Sequence, residues 1–169
     1  MLKIAKATLC STQPKPTSVP EMTKVKSRQL GWIRRLARAI PFYKHLGINL
    51  TRIGWGNAEI RLRVKKQLTQ SVGFAHGGVS AALIDSAVGL ALCTMLDQRE
   101  LITTVSLNVN FIAPAGPGVL TARGRIYHKG KHLAVGDAEV RDEKGILVSK
   151  GSATYMMLEK KRPRIVELT

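Results

Sequence analysis

The sequence predicts an α+β domain in which one long helix is wrapped by an antiparallel sheet of five to six strands. Three observations point there. Between residues 77 and 96, Val79, Leu83, Ile84, Val88, Leu90 and Leu92 leave no broad polar face, and a helix apolar nearly all round has to be buried. Four strand-like runs follow it, at 102–113, 119–128, 132–142 and 146–157. Their links, 114–118, 129–131 and 143–145, are short and carry turn-forming Gly and Pro, so consecutive strands are expected to lie side by side and antiparallel.

The elements follow in order along a chain of 169 residues, a length that suits one domain. Residues 1–27 carry Lys3, Lys6, Lys15, Lys24 and Lys26 against Glu21 alone, with Pro14, Pro16 and Pro20 between them. Such a composition builds no core, and a mobile basic tail is expected. Its lysines interrupt any apolar run, unlike a secretory signal, and its lack of Arg argues against an organelle transit peptide. Residues 28–45 hold a short amphipathic helix. Leu30, Ile33, Leu36, Ala37 and Ile40 recur at helical spacing, Arg34, Arg35 and Arg38 point elsewhere, and Pro41 ends it. That basic face could touch a membrane surface or phosphates; the expectation is that the arginines are solvated while the helix covers one edge of the sheet.

Residues 46–158 form the domain proper. It opens with two strands around Gly54 and Gly56, the second alternating Ile60, Leu62 and Val64 with Arg61, Arg63 and Lys65, the mark of a half-buried strand. The helix comes next. It is about long enough to cross a bilayer, but Asp85 near its centre would cost roughly 2.5–3.5 kcal/mol there, and water-soluble strands follow. Burial in a protein core is the expectation. Residues 159–169 are a charged C-terminal tail. Cys10 and Cys93 form no disulfide framework and no metal-ligand spacing, which suits a reducing compartment and a cytoplasmic protein.

Asp85 is the residue that packing leaves unexplained, because a carboxylate is rarely buried without a partner. Nearby hydroxyls at Ser80, Ser86 or Thr104 could satisfy it as a purely structural acid. The helix start favours chemistry instead. Gly77 and Gly78 place unpaired backbone N–H groups and a partial positive charge where no side chain blocks approach, a setting suited to a carbonyl oxygen acquiring negative charge. A carboxylate could then activate water or attack at that carbonyl carbon. Eight positions separate Gly77 from Asp85, roughly 12 Å along a helix, too far to serve one substrate from one chain. Two helices packed antiparallel about 8–10 Å apart would bring each Gly77 near the other chain's Asp85, so a two-fold dimer with sites at its interface is implied.

The string His76-Gly77-Gly78, then Leu83 and Asp85, then Gly89 and Ala91, resembles the signature of PaaI-type acyl-CoA thioesterases, enzymes of the hotdog fold. With the strands downstream, the resemblance covers about residues 46–157. It implies a central helix wrapped by a sheet, assembly as a dimer or a dimer of dimers, and hydrolysis of an acyl-CoA without a further cofactor. It also implies that the Gly77 N–H polarises the thioester carbonyl and that Asp85 from the partner chain is the catalytic carboxylate. Gly73 matches the family spacing, and a hydroxyl often found near the acid falls on Thr104. The family often has Asn six residues before the His; here Gln70 keeps the amide but reaches one methylene further.

Other features have plainer readings. The motif of a serine-hydrolase elbow is absent around Ser86. His76, His128 and His132 have no zinc spacing, so no metal is expected, and His76 is expected to position the loop at the helix start rather than titrate. Lys129 and Lys131 flank a turn, with Arg123 and Arg125 on the strand before it; these four, with Gly78 at the helix start, are candidates for contacting substrate, the cations through the coenzyme A phosphates. The alternative is an ordinary solvated hairpin. The formal charge of +16 favours some polyanion contact, but aromatics are sparse at 5% and no aromatic–basic stacking pattern appears. Specific nucleic-acid binding is therefore not expected. Two further functions compete with hydrolysis: a hotdog dehydratase using His76 as base, and a non-catalytic acyl-CoA or polyanion-binding protein.

Overall fold

The structure, a computed structural model, describes residues 25–97 and 100–159. Most of the basic tail expected over 1–27, and the charged tail beyond residue 159, lie outside the described residues. The described residues form three α-helices and six strands, α1 (Ser27–Ala39), α2 (Pro41–Leu46), β1 (Asn49–Gly54), β2 (Asn57–Val64), α3 (Gly77–Cys93), β3 (Glu100–Phe111), β4 (Gly118–Lys129), β5 (Leu133–Arg141) and β6 (Leu147–Glu159), with a 3-10 turn at Lys66–Leu68.

α3 is apolar nearly all round and is buried accordingly. Leu83, Ile84, Ala87, Val88, Ala91 and Leu92 are fully shielded from solvent, and β2 through β6 all pack on it. Each of those larger side chains contributes about 1.5–3 kcal/mol by burial, so α3 is the centre of the core. The sheet comes close enough to require glycine: a Cβ on Gly124 of β4 would lie 2.4 Å from the Ala87 carbonyl carbon. None of the described helices is long and apolar enough to cross a membrane.

All strand pairs are antiparallel, in the order β1-β2-β4-β5-β6-β3. This is the six-stranded hotdog layout, with one departure from the sequence expectation. β3 and β4, joined by a short link, are not neighbours; β3 pairs with β6 at one edge, while β4 lies between β2 and β5. The Pro- and Gly-rich link does not fold back as a hairpin. The N–H groups of Ile112 and Ala113 donate to Val148 O, and Ala115 O accepts from Ala75 N–H beside the start of α3. The link thus runs past the helix end, carrying the chain from one part of the curled sheet to another.

α1 buries Ile33 and Ala37 while Arg34, Arg35 and Arg38 stay exposed. Pro41 does end it, but proline also opens α2, since the first helical position needs no N–H partner. The Gln29 side-chain amide meets the carbonyls of Thr94 and Leu96 at 2.8 and 3.0 Å and that of Cys93 at 3.3 Å. α1 is thereby tied to the carbonyl-bearing end of α3.

Candidate active site

His76 is the N-cap of α3: its Nδ1 accepts the Gly78 N–H at 3.0 Å. That nitrogen is thus used as an acceptor, and the ring orients the loop. Gly77 comes next, its N–H without an acceptor among the described residues. A Cβ there would lie 3.1 Å from the Phe111 ring, so glycine keeps the backbone open beneath that aromatic. Gln70, Gly77, Phe111 and Ile112 line one cavity of about 350 Å³. The structure therefore brings Gln70, His76, Gly77 and Gly78 together.

Asp85 lies two turns further on. Its Oδ1 accepts from Thr104 Oγ1 at 2.9 Å and from Tyr155 Oη at 2.7 Å, the Tyr155 hydroxyl being shared with the Asp85 backbone carbonyl oxygen at 2.5 Å. Thr104 and Tyr155 are directly opposed on β3 and β6, and the register shifts immediately after them, at Val105. Cross-strand partners put their side chains on one face, and a bulge re-aims a side chain locally; here both hydroxyls converge on one carboxylate oxygen. Oδ2 accepts no hydrogen bond from the described residues. Gly89, one turn after Asp85, makes this possible, because a Cβ there would lie 3.0 Å from the Tyr155 hydroxyl. Burial, then the Asp85 charge and hydrogen bond, push the Tyr155 phenol well above its ordinary pKa. It stays a protonated donor at any working pH.

Sequence reasoning reached Thr104 but missed Tyr155, which is 70 positions from Asp85. Of the hydroxyls considered for Asp85, Thr104 is the one that reaches it; Ser86 hydrogen-bonds Tyr43 instead. The four candidate cations stand apart from this cluster. Ala122 and Gly124 turn toward α3, so the alternating Arg123 and Arg125 point out of the other face of β4. Arg123 Nε donates to Glu59 at 2.9 Å, and Arg125 makes a two-point contact with Asp137 at 2.7 and 3.1 Å. Burial pushes the Glu59 carboxyl up, but hydrogen bonds from Arg123 and Thr51 and the charges of Arg123 and Arg61 outweigh it, leaving its pKa below the ordinary value. Lys129 and Lys131 are exposed at the β4–β5 turn.

The stretch that carries Asp85 and the glycine start of α3 is similar to known proteins. Residues 72–149 match the family model of the thioesterase superfamily. A putative esterase of Haemophilus influenzae is 30% identical over 114 residues, 68% of this chain and 83% of that one. The chain belongs to the thioesterase superfamily. A 1,4-dihydroxy-2-naphthoyl-CoA hydrolase of Listeria monocytogenes is 26% identical, over 69% of this chain and 95% of that one. The E. coli PaaI protein from the phenylacetic acid degradation operon superposes with a TM-score of 0.73, covering 80% of this chain and 96% of that one at 21% identity. That likeness establishes the shared hotdog fold. As a thioesterase-superfamily member, the protein is a hydrolase, and the resemblance read from His76 to Ala91 is borne out at the level of family.

Proposed function

We propose that the protein hydrolyses an acyl-CoA to a free carboxylic acid and coenzyme A, at sites shared by two chains. The observation that carries this reading is the Asp85 carboxylate, fixed at Oδ1 by two hydroxyls and open at Oδ2. The Gly77 N–H of one chain polarises the thioester carbonyl, and Asp85 of the other acts on its carbon. As general base, Asp85 takes a proton from water while the oxygen adds to the carbonyl carbon. The C–S bond then breaks, and the proton passes to the departing thiolate. As nucleophile, Asp85 forms an anhydride that water opens; both routes consume one water. Gln70 holds the carbonyl or the water, and Thr104 and Tyr155 hold the acid. Lys129 and Lys131 are the exposed cations that suit the coenzyme A phosphates; Arg123 and Arg125, already paired, are weaker candidates.

Two features support the dimer. The half-exposed stripe of an otherwise buried α3 consists of Ala81, Ala82 and Asp85 below an exposed Gly78, and small residues let a second helix approach closely. β3 is also an edge strand of twelve residues whose Val105 and Phe111 are 50% and 63% exposed, a strand that native proteins ordinarily cover or pair. The relative named for an acyl-CoA substrate supports coenzyme A as the leaving group. The test is a panel of aryl-, short-, medium- and long-chain acyl-CoAs, with the released thiol trapped by a colour reagent. Release from at least one class is expected; a panel that releases none, from a folded protein, overturns the reading.

A further inference from the structure

A second cavity, of about 370 Å³, lies between the α1–α2 layer and α3, within the usual range for small-molecule sites. It starts at Asp85 and follows Ser86, Gly89, Leu90 and Cys93, the spacing of one continuous helical face. Three of those four are small, which hollows the face. The opposite wall is Trp32 and Leu36 of α1 with Tyr43 of α2. That wall is anchored: the Gln29 amide ties α1 to the last carbonyls of α3. The walls are mostly hydrocarbon, and among the described residues the carboxylic acids lining it are Asp85 and Glu100.

We propose that this cavity receives the tail of an uncharged, unbranched acyl group of medium length, and that Trp32 and Leu36 set the length limit. The proposal rests on the thioesterase reading only in placing the acyl carbonyl at Asp85. From Asp85 to Cys93 is eight positions, about 12 Å of helix. Three bonds of an extended chain span 3.8 Å, so that distance takes about nine bonds, an acyl group of about eight to ten carbons. Among the described residues a terminal carboxylate would meet mostly carbon walls and two carboxylates, with no cation to pair it, which disfavours dicarboxylic acyl groups.

The experiment has two arms. In the first, kcat/KM is measured for acyl-CoAs of even length. Each added pair of methylenes should raise it, at about fourfold per methylene, until about ten carbons, where it should fall. Trp32→Ala should raise the C14-to-C10 ratio by about tenfold, and Leu36→Trp should lower the C10-to-C6 ratio by about tenfold, on the scale of one or two methylenes in a pocket. In the second arm Trp55→Phe leaves Trp32 as the lone tryptophan, and its fluorescence is followed while decyl-CoA thioether, which cannot be hydrolysed, is added. A saturable shift, absent with the succinyl-length carboxylated thioether, is expected. Thiol release with unmoved length ratios and no Trp32 response overturns the cavity assignment and leaves hydrolysis standing. A Trp32 response without thiol release from any acyl-CoA supports the cavity and overturns hydrolysis. Neither signal overturns both.

Discussion

At its C-terminal end α3 runs into Thr94, fully buried, whose hydroxyl donates to Ala91 O at 2.7 Å and accepts the Gly56 N–H at 2.6 Å. Gln29 covers the neighbouring carbonyls, so helix, β1–β2 turn and α1 are locked together by groups of one chain. The N-terminal end is different. His76 takes up the Gly78 N–H, but Gly77 keeps its own free among the described residues, under an exposed Phe111 and beside an open cavity. One end of the helix is completed by its own chain, and the other is left available. An unsatisfied donor is costly when buried and useful when a substrate oxygen arrives. Asp85, between the two ends, shares both characters, with one oxygen satisfied and one open.

Variants can break that comparison in order of expected effect. Asp85→Asn keeps the shape and removes the charge; thiol release should fall at least about a hundredfold, the scale of lost acid–base work, with an unchanged circular dichroism spectrum. Wild-type turnover would remove Asp85 from the chemistry. Tyr155→Phe deletes one donor to the carboxylate, and kcat should fall about tenfold or more, as for a hydrogen bond to a charged group, with KM and thermal midpoint little moved. Placed on top of Asp85→Asn, it should cost nothing more; an additive loss would show that Tyr155 acts elsewhere.

The smallest effect concerns the completed side. Burial first, then the charges of Cys93 and Asp85, push the Tyr43 phenol up to about 12 against the hydrogen bond to Ser86, whereas in the unfolded chain it titrates near 10. Between about pH 10 and 12 the folded protein holds a proton that the unfolded chain has lost, so stability falls as pH rises through that window. Tyr43→Phe should make the fall in thermal midpoint over those two units shallower. An identical slope would mean that Tyr43 is not held protonated by its surroundings.

Apolar spacing and turn residues made α3, α1 and the six strands legible in the sequence; the spacing is plainest where an element buries one face or all of it, as α3, β2 and β5 do. The glycines at 77 and 89 were legible as small residues, and Asp85 stood out as an acid where none packs. Sheet order was not legible. A short link predicts a hairpin only when its residues turn back on the preceding strand, and this one bonds instead to Val148 and to Ala75 beside the helix start. Tyr155 was equally hidden: it reads as an ordinary inward strand residue, and only the register of β3 on β6, with its shift at Val105, aims it at Asp85.

The central claim is that the open end of one α3 serves the Asp85 of another, and complementation between two inactive proteins tests it directly. Gly77→Pro removes the proposed N–H donor at a position where proline is usually tolerated; its fold must be checked, because proline restricts the backbone of His76. That variant and Asp85→Asn, differently tagged, are co-expressed and the mixed dimer is purified. If each site takes Gly77 from one chain and Asp85 from the other, one site carries both defects and the other none. About half of the wild-type thiol release per dimer should then return, as the roughly 12 Å between the two residues along one helix requires. A folded mixed dimer that recovers no activity would contradict the shared site.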